Sequence, residues 1–340
     1  MDTIQNILVS RLRFMGDIIL TIPLLHEIKR THPNVSITYL AEEPYISLLR
    51  NHPLVYRLLS FQRNQSGSQN KVMMKLLTEK YDVAIDLFGN PRSALMTWLS
   101  GAKIRIGGDF RGRRHYYNHK IKDDGNTKSA IQYHLQYLKP LDIYPQTPID
   151  PYIVLHPDEK MWAAQYLEKK GFDLDKKIIG IHPGATWPAK RWLPERFSEL
   201  ATRLTAETNS QILFTMGPGE HHLVNSVIKN YRYDTIEPEV LSLRKLAAII
   251  QQLNVYVSND CGPMHLAPAV NTPTVGIFGP GEPEIWFPYS PNKGHRLVFH
   301  QIDCSRCHRD LCPKMECMKS ISVDMVFKAV TDTLNTKQNL

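Results

Sequence analysis

A chain of 340 residues, 42% hydrophobic and 22% charged, exceeds what one ordinary core fills, so two domains of roughly 150 residues each are expected. No run of about 18 apolar residues occurs, and the first ten residues lack a basic start and a small-residue cleavage site, which points to a cytoplasmic protein without a membrane span. The formal charge of +8 is uneven, because residues 1–150 hold 20 Lys and Arg against 13 Asp and Glu; the first half is the basic half.

Short apolar runs alternate with amphipathic stretches along the whole chain, the pattern of strands and helices built around mostly parallel sheets. The first strand is predicted at residues 7–10 and leads into RLRFMGDIILTIP, where Gly16 and Asp17 precede an apolar run containing Ile18, Ile22 and Leu25. Asp17 suits either a helix N-cap or a general base. The spacing is not Gly-x-Gly-x-x-Gly, so the fingerprint of a nicotinamide dinucleotide site is absent. Further strands are predicted at 36–41, 82–88 and 103–108, with a helix-like segment at 69–80. Residues 101–122 carry seven basic residues against one acid. That stretch reads as a solvated loop or as a surface for a polyanion, either nucleic acid or an acidic lipid head group.

Pro145, Pro148, Pro151 and Pro157 interrupt the periodicity where the charge balance changes, which places a linker around residues 145–175. The expected division is 1–155, 156–325 and a C-terminal helix and tail over 326–340. The second half repeats the strand–helix alternation, with strands at 177–182, 211–216, 255–258 and 274–278. In the helix predicted over 193–208, Phe197, Leu200, Ala201 and Leu204 recur at three and four residues, and Pro194 suits the first turn. Two such domains place ligand sites in the crevice beyond the carboxyl ends of their strands.

The turns after these strands carry the candidate residues. Gly184, Thr186, Lys190 and Arg191 follow the strand at 177–182 and precede a helix, an arrangement suited to phosphate oxygens or to plain solvation. Glu220, in GPGEHHLVNSVI, stands where it can hold ribose hydroxyls or complement a helix dipole. VSNDCGPMHLAPAVNTPTVGIFGP brings Asp260, Cys261, Gly262 and His265 together. Gly262 permits close backbone approach, and the N–H groups of Gly262, Met264 and His265 are expected to point at a ligand. A Cys261–His265 nucleophile is disfavoured because nothing else in the turn supplies an acyl-transfer constellation. Cys304, Cys307, Cys312 and Cys317, with His308 beside the second, suit free thiols, tetrahedral zinc or disulfides; their spacing is looser than that of common zinc ribbons.

Together, ILVSRLRFMGDIILTIPLL, IGIHPGATWPAKRWLPERFSELATRL and VSNDCGPMHLAPAVNTPTVGIFGP make nearly the whole chain resemble glycosyltransferase family 9, the heptosyltransferases that build the inner core of lipopolysaccharide. The resemblance implies an α/β protein of GT-B fold, two Rossmann-like domains facing a central crevice, with the acceptor in the first and the nucleotide-sugar in the second. It further implies an ADP-heptose donor, inversion at the anomeric carbon, no cofactor and no catalytic metal. By position, Asp17 matches the family's base, with Gly16 beside it as a donor contact. Lys190 matches its diphosphate-binding lysine, with Thr186 nearby. Glu220 and Asp260 match its ribose and sugar contacts, and Gly262 and His265 its diphosphate contacts. Cys261 falls among the donor contacts as well, with a thiol where the family often has the hydroxyl of Thr or Ser. A phosphorylated lipopolysaccharide core or lipid A acceptor gives Arg105, Arg111, Arg113, Arg114 and Lys120 a purpose, and it implies peripheral contact with the cytoplasmic face of the inner membrane. The alternatives are a family 9 transferase using another nucleotide-sugar, a GT-B nucleotide-sugar epimerase, and a nucleic-acid binder, the last disfavoured because no signature for it is present.

Overall fold

Ile7, Leu8 and Val9 are all buried because parallel neighbours flank their strand and apolar side chains cover both of its faces. Ile7 and Val9 join a core with Ile37, Tyr39, Val83 and Ile85, whereas Leu8 joins a second core with Leu40, Ala84, Val72 and Leu76. The computed structural model describes residues 4–122, 125, 129–146 and 149–336, and the chain divides into two units, Met1–Val154 and Leu155–Leu340.

The first unit has a six-stranded sheet of β1 (Asn6–Ser10), β2 (Ser36–Glu42), β3 (Arg57–Phe61), β4 (Val83–Asp86), β5 (Ile104–Gly108) and β6 (His119–Ile121). All pairs are parallel, in the order β3-β2-β1-β4-β5-β6, and Ile7 lies opposite both Ile37 and Val83. This is the Rossmann order. Two of these strands, β3 and β6, were not expected from sequence, and β6 lies inside the basic stretch. The strand expected to run to Phe88 stops at Asp86, whose carboxylate accepts the N–H groups of Phe88 and Gly89 at 3.0 Å each and turns the chain.

The second unit has five parallel strands, β7 (Ile178–His182), β8 (Gln211–Phe214), β9 (Val255–Asn259), β10 (Thr274–Phe278) and β11 (Arg296–Phe299), in the order β11-β10-β9-β7-β8. Here β11 is the strand that sequence did not suggest. Helix Pro194–Thr208 buries Phe197, Leu200, Ala201 and Leu204 on the sheet, as its periodicity requires. The stretch expected as linker holds helix Pro157–Lys169, which buries Ala163 and Leu167 and ties Glu159 to Arg244. Pro157 opens that helix instead of interrupting it, and Pro148 lies outside the described residues. Helix Val323–Thr336 buries Val326, Val330 and Leu334 in the core of the second unit, so residues 326–336 are part of that unit; residues 337–340 lie outside the described residues.

Candidate active site

In an open parallel sheet, the turns on either side of the point where strand order reverses diverge and leave room for a ligand at the carboxyl ends of the strands. That point lies between β1 and β4 in the first unit and between β7 and β9 in the second. Asp17 follows β1 at the first point, and Lys190 and Asp260 follow β7 and β9 at the second; Glu220 follows the edge strand β8, and Arg105, Arg111, Arg113, Arg114 and Lys120 lie on or between β5 and β6.

After β1 the chain enters the short helix Met15–Ile19. Phe14 occupies its cap, so Asp17 is not the N-cap; it stands in the first turn, where its Oδ2 accepts the Phe14 N–H at 3.1 Å. Its Oδ1 pairs with Arg11 Nη2. Arg11 Nη1 donates to the Leu87 carbonyl in the turn after β4, and its guanidinium lies 5.1 Å from the centroid of the Phe88 ring. The Arg11 and Asp17 side chains remain 16% and 15% exposed, so the carboxylate borders solvent. Gly16 is buried beside it. His134 places Nδ1 3.2 Å from the Leu20 carbonyl; burial, reinforced by the Arg11 charge, lowers its pKa to about 4 and keeps the ring neutral at neutral pH.

The five basic candidates of this unit are not equivalent. Arg105 donates to the carbonyls of Tyr116 at 3.0 Å and Ala102 at 2.7 Å, so its guanidinium ties the segment together. Arg113 stacks on Phe110 at 5.4 Å, and Arg114 lies 4.0 Å from Asp109. Arg111, Arg114 and Lys120 are exposed.

In the second unit, Lys190 belongs to the 3-10 turn Pro188–Lys190 after β7, and its Nζ lies 2.6 Å from Asp260 Oδ2 after β9. The contact is an ion pair without an aligned hydrogen bond, since Oδ2 has no hydrogen-bond partner of good geometry. The ammonium also lies over Trp187, 4.8 Å from the ring centroid. Asp260 is 5% exposed. Asn259 fixes the same two turns to each other, accepting from Trp192 N–H at 3.0 Å and donating to the Pro183 carbonyl at 2.8 Å. Arg191 donates to the Ala185 carbonyl at 2.8 Å and closes its own turn, while Thr186 is exposed.

Glu220 folds back over Gly184 so closely that a Cβ there would lie 2.1 Å from Glu220 Oε1. Its Oε2 accepts the Gly217 N–H at 2.6 Å and lies 3.5 Å from His182 Nε2. From His182 a buried chain runs through Thr215 Oγ1, 3.1 Å from Nδ1, to the Tyr256 hydroxyl, 2.8 Å further on. Burial lowers the pKa of His182, and Glu220 opposes that shift. Next to Thr215, beyond β8, a cleft is lined by Leu213, Met216, Glu237, Glu239 and Leu246.

Burial pushes the Cys261 thiol up to about 12, so it is protonated at neutral pH and no nucleophile. Its Sγ lies 3.2 Å from Ser258 Oγ, and His265 turns Nδ1 to the Tyr289 hydroxyl at 2.8 Å. Gly262 opens helix Gly262–Ala269 and stays partly exposed; the Met264 N–H, expected to face a ligand, instead donates to the Cys261 carbonyl at 3.2 Å.

All five cysteines are free thiols, and among the described residues no group of three or more His, Cys, Asp or Glu is arranged to hold a metal ion. Cys304 and Cys307 are exposed, and Cys317 is buried. The loop that carries them is bound to the turns above: the Ala189 N–H donates to the Asp310 carbonyl at 3.0 Å and the His308 N–H to the Pro280 carbonyl at 3.2 Å.

Arg11, His182, Thr215, Tyr256, Asn259 and Tyr289 were not singled out from sequence. For Arg11 a signal existed, a cation in the same turn as Asp17. His182, Thr215, Tyr256 and Asn259 sit in or beside strands and read as core, and Tyr289 sits in a loop.

The family model described as "Glycosyltransferase family 9 (heptosyltransferase)" matches residues 70–318. The chain is similar to lipopolysaccharide heptosyltransferase 3 of Escherichia coli, 24% identical over 296 residues that cover 83% of this chain and 85% of that one. Its structure is similar to that of a glycosyl transferase family 9 protein from Veillonella parvula, with a TM-score of 0.89, 24% identity and 97% of each chain covered. It is also similar to E. coli ADP-heptose lps heptosyltransferase II, with a TM-score of 0.82 and 21% identity over 98% of this chain and 100% of that one. Among the described residues no helix is long and apolar enough to cross a membrane.

Proposed function

We propose, from the premise that this chain belongs to glycosyltransferase family 9, the heptosyltransferases, that it moves heptose from ADP-heptose to the inner core of a lipopolysaccharide acceptor with inversion at the anomeric carbon. It is a transferase of GT-B fold. The observation that carries the reading is the Lys190–Asp260 pair at the strand reversal of the second unit, an ammonium already held beside a partly exposed helix start.

In the proposed reaction Asp17 takes the proton of the acceptor hydroxyl as the oxygen attacks the anomeric carbon. The bond to the diphosphate breaks on the opposite face, and the departing ADP takes the electron pair. Lys190, released from Asp260, and the Gly262 N–H stabilise the developing negative charge. Asp260 is then free for sugar hydroxyls and Glu220 for the ribose. Arg111, Arg114 and Lys120, with Arg113 behind them, attract the phosphates of a lipid-linked acceptor at the cytoplasmic face of the inner membrane.

A panel of nucleotide-sugars offered with a lipid A–core acceptor, read by the mass of the product, tests this. ADP-heptose is expected to give one heptose added per acceptor. Transfer from a different donor overturns the sugar assignment, and conversion of the donor without acceptor indicates an epimerase.

A further inference from the structure

The geometry points to Arg11 as the positioning residue of Asp17, a role that rests on Asp17 being the base. One planar guanidinium bridges two turns at the strand reversal of the first unit: Nη2 holds Asp17 Oδ1 after β1, and Nη1 holds the Leu87 carbonyl after β4. With Oδ2 bound to the Phe14 N–H, both carboxylate oxygens are engaged, each through one lone pair. The carboxylate is thereby fixed in rotation, and each oxygen keeps a lone pair for an incoming proton. A lysine ammonium lacks the rigid fork that spans both acceptors at once.

The far anchor of this bridge is itself rigidly built. Leu87 follows Asp86, which is fully buried. The Asp86 carboxylate accepts from the Tyr117 hydroxyl at 2.6 Å, from the Phe88 and Gly89 N–H groups at 3.0 Å each and from Ser10 Oγ at 3.3 Å. Gly107 makes room for the Tyr117 ring, since a Cβ there would lie 2.4 Å from ring atoms. Tyr117 therefore fixes Asp86, Asp86 fixes the turn that presents the Leu87 carbonyl, and that carbonyl with Arg11 fixes Asp17.

The test is steady-state kinetics of full-length Arg11→Ala, Arg11→Lys and Asp17→Asn with donor and lipid acceptor. Arg11→Ala is expected to lower kcat about 100-fold, the cost of an ångström-scale misplacement of a reacting group, with donor KM unchanged. Arg11→Lys should recover part of the rate, and sub-denaturing guanidinium, but not sodium chloride at equal ionic strength, should restore activity to Arg11→Ala. Tyr117→Phe, which keeps the ring over Gly107, should show a smaller kcat loss in the same direction. Wild-type kcat in Arg11→Ala while Asp17→Asn is inactive overturns the role of Arg11 alone. A kcat loss that guanidinium does not relieve, accompanied by a lower Tm, also overturns it, because Arg11 then merely holds the turn. Wild-type turnover in Asp17→Asn removes the base reading, and the positioning role falls with it.

Discussion

The two strand reversals each present a carboxylate paired to a cation, yet they are wired differently. Asp17 takes its partner from its own turn, Arg11, six residues earlier, and keeps 15% of its side chain exposed. Asp260 takes Lys190 from the turn after a different strand, seventy residues earlier, and is 5% exposed. The first arrangement leaves a carboxylate at the solvent border, which suits the proton acceptor proposed there. The second stores an ammonium against a nearly buried counter-charge, so the diphosphate proposed as its ligand would have to compete with Asp260 for Lys190.

The largest effect expected from this contrast is in the first unit. Asp17→Asn should reduce kcat about 1,000-fold, within the range for losing a general base, while calorimetry finds donor binding unchanged. Weakened donor binding would break the division of labour. Lys190→Met should cost about 100-fold in kcat, as for one lost transition-state donor. It should also destabilise the fold by about 3 kcal/mol, because Asp260 is left buried and unpaired. Adding Asp260→Asn is expected to recover stability in thermal unfolding but not rate; recovery of both would show that the pair has no catalytic part. Gly184→Ala, whose Cβ would lie 2.1 Å from Glu220 Oε1, should displace that carboxylate and raise donor KM about tenfold, equivalent to one lost hydrogen bond. An unchanged KM would remove Glu220 from donor binding. Replacing Arg111 and Arg114 by Gln should raise acceptor KM a few-fold, more at low salt than at high, and leave donor KM alone.

A separate effect, on stability and not on turnover, is expected in acid. His52 and His134 in the first unit are both held near pKa 4 by burial, below the ordinary 6.5. The unfolded chain therefore binds protons that the folded one refuses, and stability falls as pH drops from 6.5 toward 4. Between pH 7 and pH 5.5 each group should cost about 1 kcal/mol, read as a falling Tm; a flat Tm would contradict the neutral burial of these rings.

The same contrast explains what the sequence made legible. The inner strands β1, β2, β4, β7, β9 and β10 are buried on both faces and read as apolar runs. Three of the four edge strands, β3, β6 and β11, carry Arg57, His119, Lys120 and Arg296, because an edge tolerates charge, and their signal disappears into the surrounding loops, whereas the fourth, β8, buries Ile212, Leu213 and Phe214 and stays legible. Pro157 was misread as a break although, like Pro194, it opens a helix; the run of prolines before it obscured that start. A partner within the same turn, such as Arg11, is within reach of sequence reasoning. Lys190 and Asp260 were each visible as candidates, but their contact depends on β7 and β9 lying side by side, a fact of topology. Composition counts charges and does not show that the Arg105 guanidinium already holds the carbonyls of Tyr116 and Ala102.

The bond from the Ala189 N–H to the Asp310 carbonyl has a consequence for hydrogen exchange. It joins the turn bearing Lys190 to the cysteine-bearing loop, so exchange of the Ala189 amide is expected to require that the two segments part. Slow exchange at Ala189, lost when the exposed thiols of Cys304 and Cys307 are alkylated with a bulky reagent, would make a single amide the gauge of how firmly the loop is seated.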